Sequence, residues 1–121
     1  MTRKALVVDD SAIVRNMHMV MLQSEGFDVT AAENGYDGLE KALATDFDLV
    51  LVDVNMPRMD GFTFCKELRA LSQYRDTPII IISTEEGEGD KMAGLKAGAN
   101  LFLIKPIKSS ELIANVRILL T

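Results

Sequence analysis

Leu49-Val50-Leu51-Val52-Asp53 is the segment that decides the fold. Four aliphatic side chains stand in a row without polar alternation, and the run stops on a carboxylate. A strand with one wet face alternates apolar and polar residues. An unbroken run reads instead as a strand covered on both faces, as in a parallel sheet between layers of helices. Residues 5–8, 79–82 and 101–104 have the same form, and each also stops at polar chemistry: Asp9-Asp10, Ser83-Thr84 and Lys105-Pro106. Residues 27–32 form a weaker, more alternating run that suits a strand at the edge of the sheet.

Helical spacing fills the intervals. Ile13, Met17, Val20 and Met21 recur at that spacing behind Ser11, which is placed to cap a helix. Leu39, Ala42 and Leu43 follow Gly35, and Phe64, Leu68 and Leu71 follow Gly61. Met92, Leu95 and Lys96 mark a shorter helix that Gly98 ends, and Leu112, Val116 and Leu119 form the last stripe, entered through Ser109. Alternating strands and helices with short loops predict an α/β fold: a doubly wound, five-stranded parallel sheet in the order 2-1-3-4-5, with right-handed crossovers and five flanking helices. Residues 1–121 read as a single domain.

Composition removes several functions. Thirteen basic residues against eighteen acidic ones give a net charge of −5, which disfavours binding to nucleic-acid phosphates. One cysteine, Cys65, rules out an internal disulfide framework and a cysteine-based zinc finger, and reads as an inert structural thiol. No apolar run approaches the length of a secretory core or a membrane span, so a cytoplasmic location is expected.

All strands of a parallel sheet end at one edge, and ligands bind there where the strand order reverses, between the first and third strands. That edge collects Asp9, Asp10, Asp53, Ser83 and Lys105. Singly, Asp10 and Ser11 read as a helix cap, Lys105 as a solvated cation and Ser83 as a loop hydroxyl. Their joint placement at four strand ends reads as a site. Clustered carboxylates repel unless a cation neutralises them, and all-oxygen ligands select a hard ion, Mg²⁺ with Mn²⁺ as a substitute. A carboxylate held beside such an ion can attack a phosphoryl group, while Lys105 and the Ser83 hydroxyl hold the transferred oxygens. Asp53, on the middle strand, is the central candidate.

Other residues carry blander expectations. His18, the only histidine, falls off the apolar stripe and is expected at the surface, whereas Met17 and Met21 are expected to fill core gaps. The acidic, glycine-containing stretch of residues 85–90 reads as a solvated loop that starts a helix and has room to rearrange beside Ser83.

Leu6-Val7-Val8-Asp9-Asp10-Ser11, Asp53-Val54-Asn55-Met56-Pro57-Arg58-Met59-Asp60-Gly61 and Leu103-Ile104-Lys105-Pro106 resemble the signature segments of the response-regulator receiver domain, across essentially the whole chain. The stretch from Asn55 to Gly61, with Arg69-Ala70-Leu71, resembles its stand-alone chemotaxis (CheY-like) branch in particular. The resemblance implies a flavodoxin-like fold and a two-component phosphorelay role, in which Asp53 accepts phosphate from a sensor histidine kinase. It implies Mg²⁺ ligation by Asp10, Asp53 and the Asn55 backbone carbonyl, with Asp9 acting through water. It assigns Ser83 as switch hydroxyl, Lys105 as the phosphate-pairing amine and Phe102 as switch aromatic, and a cis Lys105–Pro106 bond. Thr84 stands where the family often has Ala or Gly, and its branched side chain narrows access to the phosphoryl group. Phe102 stands where the best-known chemotaxis members have Tyr.

The implied partners are the kinase, an output protein such as a flagellar-motor switch component, and a phosphatase. Neither nucleic acid nor membrane is expected as a partner, and a monomer is. The only implied catalysis is self-phosphorylation and hydrolysis, so the chain is not expected to be an enzyme. Output is expected to leave through the fourth helix, fifth strand and fifth helix, where Glu111, Asn115 and Ile118 share one side with Ile118 exposed. Two other readings are a receiver of a non-chemotaxis phosphorelay and a Mg²⁺-dependent phosphatase with an aspartyl intermediate. The phosphatase would need its nucleophile after the first strand and substrate-enclosing insertions. A flavin or nucleotide binder would need a glycine-rich first loop, where this chain has Asp9-Asp10-Ser11.

Overall fold

Leu49–Asp53 forms the central strand β3, and all of its residues are buried. In the computed structural model, which describes residues 2–84 and 88–121 with the side chains of 88–90 left aside, β3 pairs in parallel with β1 (Lys4–Val8) and β4 (Ile79–Ser83). Strand β2 (Asp28–Ala32) pairs with β1, and β5 (Leu101–Ile104) with β4. The order β2-β1-β3-β4-β5 is the expected one, with the weakly apolar run at an edge.

Side chains alternate across a strand, so an all-apolar strand feeds two cores. Ala5, Val7, Leu49, Leu51, Ile80 and Ile82 pack on one face with Leu22 of α1 (Ala12–Ser24) and Leu112 and Val116 of α5 (Ser109–Leu119). Leu6, Val8, Val50, Val52, Ile79 and Ile81 pack on the other with residues of α2 (Gly35–Ala44), α3 (Gly61–Arg69) and α4 (Glu88–Ala97). Helix starts are fixed by side-chain caps: Ser11 Oγ accepts from Val14 N, Asn34 Oδ1 from Asp37 N and Asp60 Oδ1 from Thr63 N. Gly98 ends α4 at φ +106°, as expected. Arg69 closes the edge of the sheet opposite the strand C-termini. Its guanidinium donates to the carbonyls of Gly98, Tyr74 and Thr77 and to Asn100 Oδ1, at 2.6–2.9 Å.

Helix α1 corrects two expectations. Ile13 and Val20 are 76% and 62% exposed, and Met17 is exposed as well and fills no core gap. His18, expected at the surface, is buried one turn from Leu22 on the inward face, while Met21 is half-buried against the core. The helix is apolar around most of its circumference, so its periodicity does not decide which face docks. The imidazole packs inward as a neutral ring, since burial pushes its pKa down. On α2, Leu43 likewise lies exposed beside the buried Ala42. Cys65 is buried, and burial pushes its thiol up to about 11, as an inert thiol requires. Of the expected acidic loop, residues 85–87 lie outside the described residues; α4 begins directly after them. No helix among the described residues is long and apolar enough to cross a membrane.

Candidate functional site

Register places the site. Val8 pairs with Val52, so Asp9 and Asp53 leave adjacent strands at the same level. Asp9 N continues the ladder by donating to Ala32 O at 3.1 Å. Asp10 follows on the β1–α1 loop, and one carboxylate oxygen from each of Asp9, Asp10 and Asp53 lies within 4.8 Å of the others. Asp9 and Asp53 are buried and Asp10 is exposed.

From the far side, Lys105 N donates to Ser83 O at 2.7 Å, just past the pairing of Ser83 with Ile104. The lysine side chain then reaches across the end of β4. Its Nζ lies 2.9 Å from Asp53 Oδ1 and 3.3 Å from Asp9 Oδ2. The Lys105–Pro106 bond is cis.

The structure therefore gathers Asp9, Asp10, Asp53 and Lys105 into one cluster, with Ser83 buried at the adjoining strand end and Thr84 exposed after it. Asn55 is exposed on the loop that leaves Asp53. Phe102 stands apart on β5, half-buried, with its ring against α4. A Cβ on Gly94 would lie 3.2 Å from Phe102 Cδ2, so the missing side chain makes room for the ring.

Burial is the main force on Asp53. It raises the carboxyl pKa above the ordinary value, opposed by the bond to Lys105 and assisted by the charges of Asp9 and Asp10. Lys105 is itself desolvated, yet its bonds to Asp53 and Asp9 raise its pKa and keep it cationic. Three hard oxygen donors in one pocket, without histidine or cysteine, fit a Mg²⁺-class cation; Asp9, Asp10 and Asp53 would hold it, and it would supply charge neutralisation. Among the described residues this is the only such cluster.

Two supporting contacts escaped the sequence reading, which named Gly61 only as the start of a helix and within a signature segment. Arg15 Nη1 donates to Asp9 O at 2.8 Å, and Ser11 N donates to Asp9 Oδ1 at 2.9 Å. Gly61 packs its Cα against the backbone of Asp53 and Val54 and donates its N–H to Val54 O at 3.0 Å. The Arg15 guanidinium and Gly61 both act on backbone groups, and for Arg15 the available signal was only its placement in the first turn of the helix after Asp9-Asp10.

A family model for the response regulator receiver domain matches residues 5–117. The response regulator ArlR of Staphylococcus saprophyticus is 38% identical over 117 residues; the alignment takes in 97% of this chain, which spans about half of that relative (52%). The chemotaxis protein CheY4 of Vibrio cholerae superposes with a TM-score of 0.95 at 39% identity, covering 99% of this chain and 100% of its own. The receiver domain of the sensor histidine kinase PA1611 of Pseudomonas aeruginosa, solved with a magnesium ion in its active-site cleft, superposes with a TM-score of 0.86 at 33% identity, over 98% of this chain and 95% of its own. The matched segment takes in every strand except the first residue of β1, and every strand end that supplies the cluster, and the chain belongs to the response regulator receiver domain family.

Proposed function

We propose that Asp53 accepts a phosphoryl group from the phosphohistidine of a sensor kinase, and that this modification switches a protein-binding face. One observation carries the reading: a buried carboxylate at the end of the central strand, paired at 2.9 Å with Lys105 and flanked by two further carboxylates. An Asp53 oxygen attacks phosphorus, the phosphorus–nitrogen bond breaks, and its electron pair returns to the donor imidazole. Lys105 turns from the Asp53 oxygen to the phosphoryl oxygens, and the Ser83 hydroxyl donates to another of them. Asp10, Asp53 and the Asn55 carbonyl would hold Mg²⁺ or Mn²⁺ directly and Asp9 through water, and the ion would neutralise the clustered carboxylates. Thr84, exposed beside Ser83, narrows the approach of hydrolytic water. The kinase gains a surface beside Asp53 from the exposed apolar face of α1, which starts at Ile13, one turn past Asp10. The direct test is incubation with a small acyl phosphate and Mg²⁺ followed by mass measurement. A gain of one phosphoryl group per chain is expected, and none would overturn the reading.

The metal assignment gives a second expected result. Asp10→Asn lowers Mg²⁺ affinity about 10-fold or more by removing a ligand, and raises the melting temperature of the metal-free protein by relieving like-charge repulsion. Calorimetric titration and thermal melts read both. An unchanged titration means that Asp10 is no ligand.

The similarity to CheY4, a chemotaxis protein, supports a chemotaxis-type output with a flagellar-motor-type target, in the cytoplasm. The similarity to ArlR favours a second reading, a receiver in another phosphorelay, and target binding separates the two. The output face comprises α4, β5 and α5, where Met92, Leu95 and Ile118 are exposed and Phe102 abuts Gly94. Movement of Ser83 toward the phosphoryl group frees space beside β5, and the Phe102 ring, lacking a hydroxyl, turns inward at little cost. Phe102→Ala and Ile118→Ser are therefore expected to weaken phosphate-dependent binding of the target while sparing phosphorylation. Binding that survives both substitutions intact puts the output face elsewhere.

A further inference from the structure

We propose that Arg15 is the positioning residue for Asp10, holding its carboxylate where the divalent cation binds; this rests on the reading of the acidic cluster as a metal site. Asp10 is exposed, and no side chain among the described residues bonds its carboxylate. Its direction is therefore set by the backbone on either side. Arg15 holds the carbonyls of the residues before and after Asp10: its guanidinium donates at 2.8 Å to Asp9 O, in the peptide that Asp10 shares with Asp9, and its backbone N–H donates at 2.8 Å to Ser11 O, one peptide further on.

The backbone bond is the first bond of α1, and any residue but proline makes it. The guanidinium bond belongs to arginine. It fixes the Asp9–Asp10 peptide plane, and with it the direction in which the Asp10 side chain leaves the chain. Asp9 needs no such help. Its N–H bonds Ala32 O, and its carboxylate accepts from Ser11 N and Lys105 Nζ.

Charge alone predicts the opposite sign. A guanidinium near three carboxylates repels an incoming cation, so removing it for electrostatic reasons would tighten metal binding. Loss of positioning weakens it. The experiment is a Mg²⁺ titration of the metal-free protein by calorimetry for wild type, Arg15→Met and Arg15→Lys, each also in an Asp10→Asn background. Arg15→Met is expected to weaken Mg²⁺ about 10-fold, the scale of a lost outer partner of a ligand. Arg15→Lys, whose single ammonium can still reach Asp9 O, recovers part of that loss. In the Asp10→Asn background Arg15→Met causes no further loss of Mg²⁺ affinity.

Unchanged or tighter binding in Arg15→Met overturns the proposal, as does an equal loss in the Asp10→Asn background. A wild-type chain that binds no Mg²⁺ would overturn the metal reading itself, a separate result. Should Arg15→Met fail to fold, Arg15→Gln, which keeps an amide donor on a shorter arm, decides the matter by the same sign.

Discussion

The Asp53→Asn chain takes up no phosphoryl group from an acyl phosphate and Mg²⁺, whereas the wild type gains one. The amide keeps the shape of the side chain and loses the anionic nucleophile. Asp9 and Asp10 do not replace it: Asp9 is already bonded to Ser11 N and Lys105, and Asp10 lies at the exposed rim. Stoichiometric labelling of the variant would contradict the assignment.

The same substitution carries a pH signature. Burial and the neighbouring carboxylates raise the Asp53 pKa above its unfolded value, so the folded state binds this proton more tightly than the unfolded chain. Stability then falls as pH rises from the unfolded value through the raised folded one, and the full cost is present above that window. Metal-free Asp53→Asn is accordingly expected to melt above wild type at pH 7, with Lys105 retaining Asp9 as its partner. Its advantage shrinks as pH is lowered through the window. A lower melting temperature at pH 7 would show that the Lys105–Asp53 pair outweighs the cost of burial.

Gly61→Ala is expected to damage both stability and phosphorylation. A Cβ at this position presses into the Asp53 carbonyl oxygen and lies 3.0 Å from Asp53 C and Val54 Cα. These are backbone atoms that cannot rotate away. Either α3 retreats and loses the bond from Gly61 N to Val54 O, or the end of β3 tilts and carries Asp53 out of place. The expected loss is about 3 kcal/mol, the upper part of the overpacking range, read by urea unfolding at unchanged slope, together with slower phosphoryl uptake. Gly26→Ala serves as the comparison. Gly26 has φ +95° but nothing within 4 Å of the added methyl, so the substitution adds only backbone strain, about 1–2 kcal/mol. Equal losses at the two positions would contradict the contact account.

The sheet was legible because its strands are unbroken aliphatic runs, and such runs have few other readings. The site was legible for a related reason: each run stops at its polar residue, and parallel topology carries those stops to one edge. Helix α1 was not. With Ile13, Val14, Met17, Met19, Val20, Met21 and Leu22 spread around it, the pattern names no face, and packing against β1 and α5 decides that His18 goes inward. The contacts of Arg15 and Gly61 were invisible for another reason. Their partners are the carbonyl of Asp9 and the backbone of Asp53, and backbone groups leave no trace in a pattern of side chains.

The Lys105 pairs also set how salt acts on this protein. Lys105 and its two carboxylates are largely shielded from water, unlike the surface pair of Arg117 and Glu25. Mobile ions at 0.15 M screen charges through solvent over about 8 Å but screen a pair held largely out of water much less. The field of the net −5 chain, which draws cations and basic partners inward, fades as ionic strength rises. The internal lysine lock does not fade with it. Ionic strength thus governs how often the site is visited, and leaves unchanged the resting arrangement that each visitor meets.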